Sequence, residues 1–242
     1  MTEGELTSKI LLKKIKSRGY WKVVIRPTRF EKERIKTLSE CTRIVQECKV
    51  MLRGWDYPHV NTISRPYVGG VDYFESLTDW NGYIELWRMY QSGQFVHLFG
   101  CREDWLSERK GIFGPSQYTC IEPGSVLSVL STLYSVTEIY EFASRLAQKN
   151  LFDETIFLSI TLHGMKNRKL IFFEPGRILL GDYVCKIVDL PLPKTITVDE
   201  LLGKGRELAL DHTIEIFERF NWISPPRDIL KEDQKKFLEH RI

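Results

Sequence analysis

The sequence predicts an α+β fold in which a mixed or mostly antiparallel sheet packs against long helices and the C-terminus is helical. Three observations predict it: short runs rich in β-branched and aromatic residues bounded by Gly and Pro, long segments with an apolar residue at every third or fourth position, and no regular strand–helix–strand alternation. Residues 1–242 read as a single domain because no linker or low-complexity tract divides them, with the helix-rich segment 198–242 the one part that could dock as an appendage.

Thr2 and Glu5 stand at capping-box spacing before Leu6, Ile10 and Ile15, and Gly19 follows, so a short helix is expected over 2–18. Residues 20–26 (YWKVVIR) are β-formers closed by Pro27 and predict a strand. Ile35, Leu38, Cys41, Val45, Cys48 and Leu52 give residues 30–53 the period of a helix that ends at Gly54. Residues 54–82 are aromatic and broken by Pro58, Pro66 and Gly69-Gly70, which predicts loops around one strand near 71–76. In 83–91, Tyr83, Trp87 and Tyr90 share one helical face, and a helix is preferred over the hairpin that Ser92-Gly93 would close.

Residues 94–101 are apolar on both faces, as an interior strand is, and 102–124 read as a long irregular connection. A helix is expected over 125–150, burying Leu127, Leu130, Leu133, Ile139, Phe142 and Leu146. Its other face carries Ser128, Ser131, Thr132 and Ser135, small enough for close packing on another element or a partner chain. Residues 154–163, 169–174 and 183–190 read as three strands of an antiparallel meander. Thr197 and Glu200 form a second capping-box pair opening a helix to about 220, with Leu202, Ala209, Ile216 and Phe220 on its apolar stripe. Asn221 and Ser224-Pro225-Pro226 then precede a charged helix over 228–239.

At 43% hydrophobic and 28% charged residues the chain is too apolar for intrinsic disorder, so a folded core is expected. The first apolar run, Ile10-Leu11-Leu12, is too short for a secretory signal, and no run nears the roughly 20 residues of a membrane span. Cys41, Cys48, Cys101, Cys120 and Cys185 are odd in number and irregularly spaced. Free thiols and a cytoplasmic setting are therefore expected, with no zinc site. The net charge of +3 is uneven, since residues 1–36 hold eleven Lys/Arg against four Glu.

No cofactor, metal or catalytic motif is found. Gly69-Gly70 lacks the dinucleotide pattern, Gly203-Lys204-Gly205 falls inside a predicted helix and reads as a kink or close contact, and neither G-x-S-x-G nor H-E-x-x-H occurs. His97 reads as a hydrogen-bonded core residue, because Cys101 on the same strand face would be about 14 Å away at 3.3–3.4 Å per residue. His212, between Leu208 and Ile216, reads as structural. Glu85 and Arg88 read as an ordinary helix-surface pair.

Three residue groups remain. A ligand or partner cleft is expected around Asp56, His59, Arg88, Gln91, Gln94, His97, Arg102 and Glu103. Trp55, Tyr57, Trp80, Trp87 and Tyr90 are candidates for a partner interface, because amphipathic rings suit such surfaces, and equally for ordinary packing beneath irregular loops. Lys13, Lys14, Lys16, Arg18, Lys22 and Arg26 surround Tyr20 and Trp21, a combination that suits nucleic acid. The expectation is a non-catalytic binding, adaptor or sensor protein acting through a protein partner or self-association. Nucleic-acid binding is the alternative, and an enzyme with a site assembled from distant residues comes third.

Overall fold

The structure is a computed structural model that describes residues 7–60, 66–109 and 121–241. The expected capping pair Thr2 and Glu5 lies outside the described residues. Helix α1 (Ser8–Ile15) is capped instead by Thr7, whose side chain accepts from the Ile10 N–H. Strand β1 (Tyr20–Pro27) follows and buries Trp21, Val23 and Ile25 on one face. Helix α2 (Leu38–Cys48) is shorter than the apolar period predicts. A reciprocal capping box between Thr37 and Glu40 satisfies the first amides at that point and sets the start.

Three antiparallel strands come next, β3 (Tyr73–Trp80), β4 (Tyr83–Tyr90) and β5 (Phe95–Gly100), with a two-residue edge strand β2 (Tyr67–Val68) before them. The helix expected over 83–91 is thus strand β4. Its periodicity of two is hidden because both faces are covered, with Glu85, Trp87 and Met89 buried on one side and Ile84 and Leu86 on the other. Asn81 and Gly82, both at positive φ (48° and 75°), make the two-residue turn between β3 and β4.

A 3-10 helix (Arg102–Glu108) occupies the start of the expected irregular connection, and residues 110–120 lie outside the described residues. Strand β6 (Val126–Ser128) runs into the long helix α3 (Val129–Gln148). Strand β7 (Thr155–His163) is as expected, but the meander is not: β8 (Lys169–Ile171) pairs in parallel with β6 in a separate two-stranded sheet. The strand expected at 183–190 is displaced to β9 (Asp189–Thr197). It lies at the sheet edge, where Pro191 and Pro193, two residues apart, turn the same exposed side outward and lose no needed ladder bond.

The main sheet has the order β2-β3-β4-β5-β1-β7-β9, with every neighbouring pair antiparallel. This confirms the α+β class. On one face α1 sets Leu11 and Ile15 against Ile84, Leu86, Leu98 and Trp105. The other face carries the larger core, formed with α2, α3 and helix α4 (Val198–Glu218). Within α4, Lys204 departs from helical geometry at φ −133°, so Gly203-Lys204-Gly205 is a kink. Leu201 turns inward there, while Leu202, expected on the apolar stripe, is exposed. Helix α5 (Arg227–Leu238) closes the chain and buries Leu230 and Phe237.

One fully buried ion pair holds the 3-10 helix in place. Arg168 donates to both Asp104 carboxylate oxygens, to the Val126 carbonyl at 2.9 Å and to the Gly164 carbonyl at 2.8 Å, while Asp104 also accepts from the Gly19 and Gly124 amides at 2.8 Å each. All three guanidinium nitrogens of Arg168 and both Asp104 oxygens are engaged, as a buried charge requires.

Candidate functional site

A cleft of about 370 Å³ opens beside the sheet face that carries α3. Residues 53–57, the β3–β4 turn with Glu85 of β4, His97 to Gly100 of β5, the 3-10 helix with Arg109 and the first half of α3 form it, joined by Trp21 of β1 and Leu127 of β6. The small face of α3 is what makes room. Ser131, Thr132 and Ser135 line the wall, so this stripe borders a cavity where tight packing on another element or chain was expected. Further along the same helix, Ile139, Phe142 and Leu146 are fully buried and leave no such space.

The deep end is built around Glu85. Its carboxylate accepts from Trp55 Nε1 at 2.8 Å, His97 Nε2 at 2.8 Å and the His59 amide at 3.2 Å. Burial acts to raise the Glu85 carboxyl, but the hydrogen bonds from His97 and Trp55 help to outweigh it, and the group sits below the ordinary carboxylate value. His97 spends Nε2 on this contact and keeps Nδ1 unpartnered. Beside it, Arg53 donates to Glu138 Oε1 at 3.0 Å and Ser135 Oγ at 3.1 Å, and burial pushes the Glu138 carboxyl upward in spite of that pairing.

The other end holds Arg102, Glu103 and Arg109. Glu103 accepts from the Ser128 amide at 3.0 Å, and burial raises its carboxyl. Arg109 lies over the Tyr83 ring, 4.1 Å from its centroid, and donates to the Tyr83 hydroxyl at 3.2 Å. Burial lowers this guanidinium, and the nearby charge of Arg102 lowers it further.

Polar atoms on the cleft wall are left without partners. Tyr57 Oη, His97 Nδ1, Thr132 Oγ1 and Arg109 Nε are buried and make no hydrogen bond. The first three belong to residues only 6%, 1% and 1% exposed. A buried polar group left unpaired costs about 1–3 kcal/mol, so several around one cavity signal a missing partner.

Of the residues expected to form a cleft, Asp56, His97, Arg102 and Glu103 line it, and His59 supports it through its amide and by stacking on Trp55 at 3.8 Å. Arg88, Gln91 and Gln94 are elsewhere. Arg88 sits three residues along β4 from Glu85, hence on the opposite face, and pairs with Glu75 at 2.8 Å; the expected Glu85–Arg88 surface pair does not form. Gln91 donates to the Ile35 carbonyl at 3.1 Å, and the Gln94 carbonyl accepts from the Tyr90 amide in the β4–β5 turn.

Arg53, Tyr83, Arg109, Thr132 and Glu138 were not foreseen. The Asn81-Gly82 hairpin signal and the small polar stripe of α3 are the sequence features that point to them. Among the proposed interface rings, Trp87 is fully buried and Tyr57 nearly so; these two belong to the core and the cleft wall and cannot form an exposed surface. Trp80 is 56% exposed, and Trp55 and Tyr90 are half-buried.

In the basic segment, Lys14 pairs with Asp79 at 2.8 Å and Arg18 with Glu108 at 3.2 Å, whereas Lys13, Lys16 and Lys22 are exposed and Arg26 lies over the Phe157 ring. His212 receives the Tyr140 hydroxyl or donates to it at 2.9 Å, and burial lowers its pKa to about 4. Among the described residues no group of His, Cys, Asp and Glu side chains is arranged to hold a metal ion, and no helix is long and apolar enough to cross a membrane. No protein-family model, curated protein or solved structure matches the chain.

Proposed function

We propose that this protein binds a small organic molecule in the cleft between α3 and the β3–β5 sheet, and acts as a binding or sensor protein. The observation that carries this is the set of unpartnered buried atoms, Tyr57 Oη, His97 Nδ1 and Thr132 Oγ1, on the wall of one cavity. A cleft with aromatic walls and a few converging polar groups, near 300–1,000 Å³, has the character of ligand pockets. Trp21, Tyr57, Tyr83 and Phe99 supply the rings here.

Isothermal titration with 1-naphthol tests it. The protein is expected to bind the probe with Kd below about 1 mM, while Ser131→Trp, which fills the cleft from the first turn of α3, is expected to weaken binding at least about tenfold. Equal binding by both proteins, or none by either, contradicts the proposal.

A second reading, acid–base chemistry in the same cleft, is favoured by one contact. An imidazole fixed through Nε2 by a three-fold hydrogen-bonded carboxylate, with Nδ1 unpaired, has the arrangement of a general base. Hydrolysis of 1-naphthyl acetate that disappears in His97→Gln supports it, and no hydrolysis above the uncatalysed rate counts against it.

A further inference from the structure

The cations of the cleft are not equally matched. Arg53 is paired with Glu138, Asp56 with Lys49 and His59, and Glu85 with His97. At the opposite end Arg102 makes no ion pair among the described residues, and Arg109, beside it, has a buried Nε without a partner. The one carboxyl lining this end, Glu103, accepts from the Ser128 amide and forms no ion pair with either arginine among the described residues.

The arrangement costs free energy on three counts. Arg109 is partly desolvated, and the Arg102 charge acts against its own. The same cleft is lined by Ser131 and Thr132 of the first turn of α3, a helix end that carries positive partial charge. Thr132, 1% exposed, presents a hydroxyl with no partner on the same wall. A negatively charged group of the ligand would offset all three. It would accept from the arginines in charge-assisted hydrogen bonds and from Thr132 Oγ1, and would lie at the favourable end of the helix.

We propose that the Arg102–Arg109 end of the cleft binds an oxyanion, a phosphate or a carboxylate, carried by the ligand. The proposal rests on the ligand-binding function above and adds the charge of what is bound. The aromatic walls take the remainder of the molecule.

Three probes with one ring separate the possibilities: 1-naphthol, 1-naphthoate and 1-naphthyl phosphate, titrated calorimetrically at neutral pH. At least one anion is expected to bind about tenfold or more tighter than the alcohol, and Arg102→Gln is expected to reduce that advantage below about threefold. Arg102 is exposed and without an ion pair among the described residues, so this variant keeps the fold, whereas Arg109→Gln also removes the packing on Tyr83. Preference for the phosphate identifies a phosphoryl ligand, and preference for the naphthoate a carboxylate ligand. Equal affinity for all three probes, or an anion advantage unchanged in Arg102→Gln, overturns this proposal and leaves the binding function standing. No binding of any probe up to about 5 mM overturns both.

Discussion

Two buried polar clusters meet near the 3-10 helix, and they differ in how their hydrogen bonds are filled. Around Asp104 and Arg168, each carboxylate oxygen receives an amide and a guanidinium donor, and Arg168 also reaches two carbonyls. In the cleft on the other side of the same helix, Tyr57, His97, Thr132 and Arg109 each leave a buried polar atom unmet. Residue types are similar in both. A filled cluster holds segments together, whereas an unfilled one has been kept open at a cost in stability, the trade that binding sites commonly make.

The largest expected effects lie in the filled cluster. A Cβ added at Gly19 would fall 2.0 Å from Arg168 Nη2 and 2.9 Å from Asp104 Oδ2. Gly19→Ala therefore breaks the pair, and both it and Arg168→Met are expected to lose about 3–5 kcal/mol in urea unfolding, because a buried charge is left uncompensated. If Arg168→Met is neutral, the cluster does not hold the fold.

An effect of intermediate size belongs to His212, away from both clusters. Burial lowers its pKa from 6.5 to about 4, with the Lys194 charge adding and Glu215 opposing. Below pH 6.5 the unfolded chain takes up a proton that the folded chain refuses until about pH 4, so stability falls as pH falls through this window. The loss attributable to this residue is at most about 3 kcal/mol, and unfolding of His212→Gln measured at several pH values should show a correspondingly flatter profile. An unchanged profile would mean that His212 titrates alike in the folded and the unfolded chain.

The smallest effects are expected at the cleft. Gly54 lines it, and a Cβ there would meet nothing within 4 Å. Gly54→Ala and Arg102→Gln should each shift the unfolding free energy by less than about 0.5 kcal/mol, against several for Gly19→Ala. A large loss at Gly54 would show that the space is filled in solution.

Much of this frame was legible in the residues. Strands β1, β5 and β7, the α3 core stripe and the capping threonine of α4 follow from periodicity and end signals, because each is covered in the way its pattern implies. Strand β4 reads as a helix because α1 on one side and α2 on the other bury consecutive residues, which removes the alternation that marks a strand. That error hid the cleft's centre, since only a strand puts Glu85 opposite Phe99 and within reach of His97. Asp56, His97, Arg102 and Glu103 were found because they flank turns and strand ends. Arg53 and Glu138, 85 positions apart, meet only through packing, and nothing local in either segment announces it.

The most direct test of the contrast between the clusters is Thr132→Val, which replaces an unmet hydroxyl by a methyl group of nearly the same shape. If the cleft is held open for a ligand, the variant should unfold at a free energy about 1 kcal/mol higher than the unaltered protein and bind 1-naphthyl phosphate more weakly. A variant destabilised by about 1 kcal/mol or more, with binding unchanged, would mean that the Thr132 hydroxyl already has its partner in the folded chain.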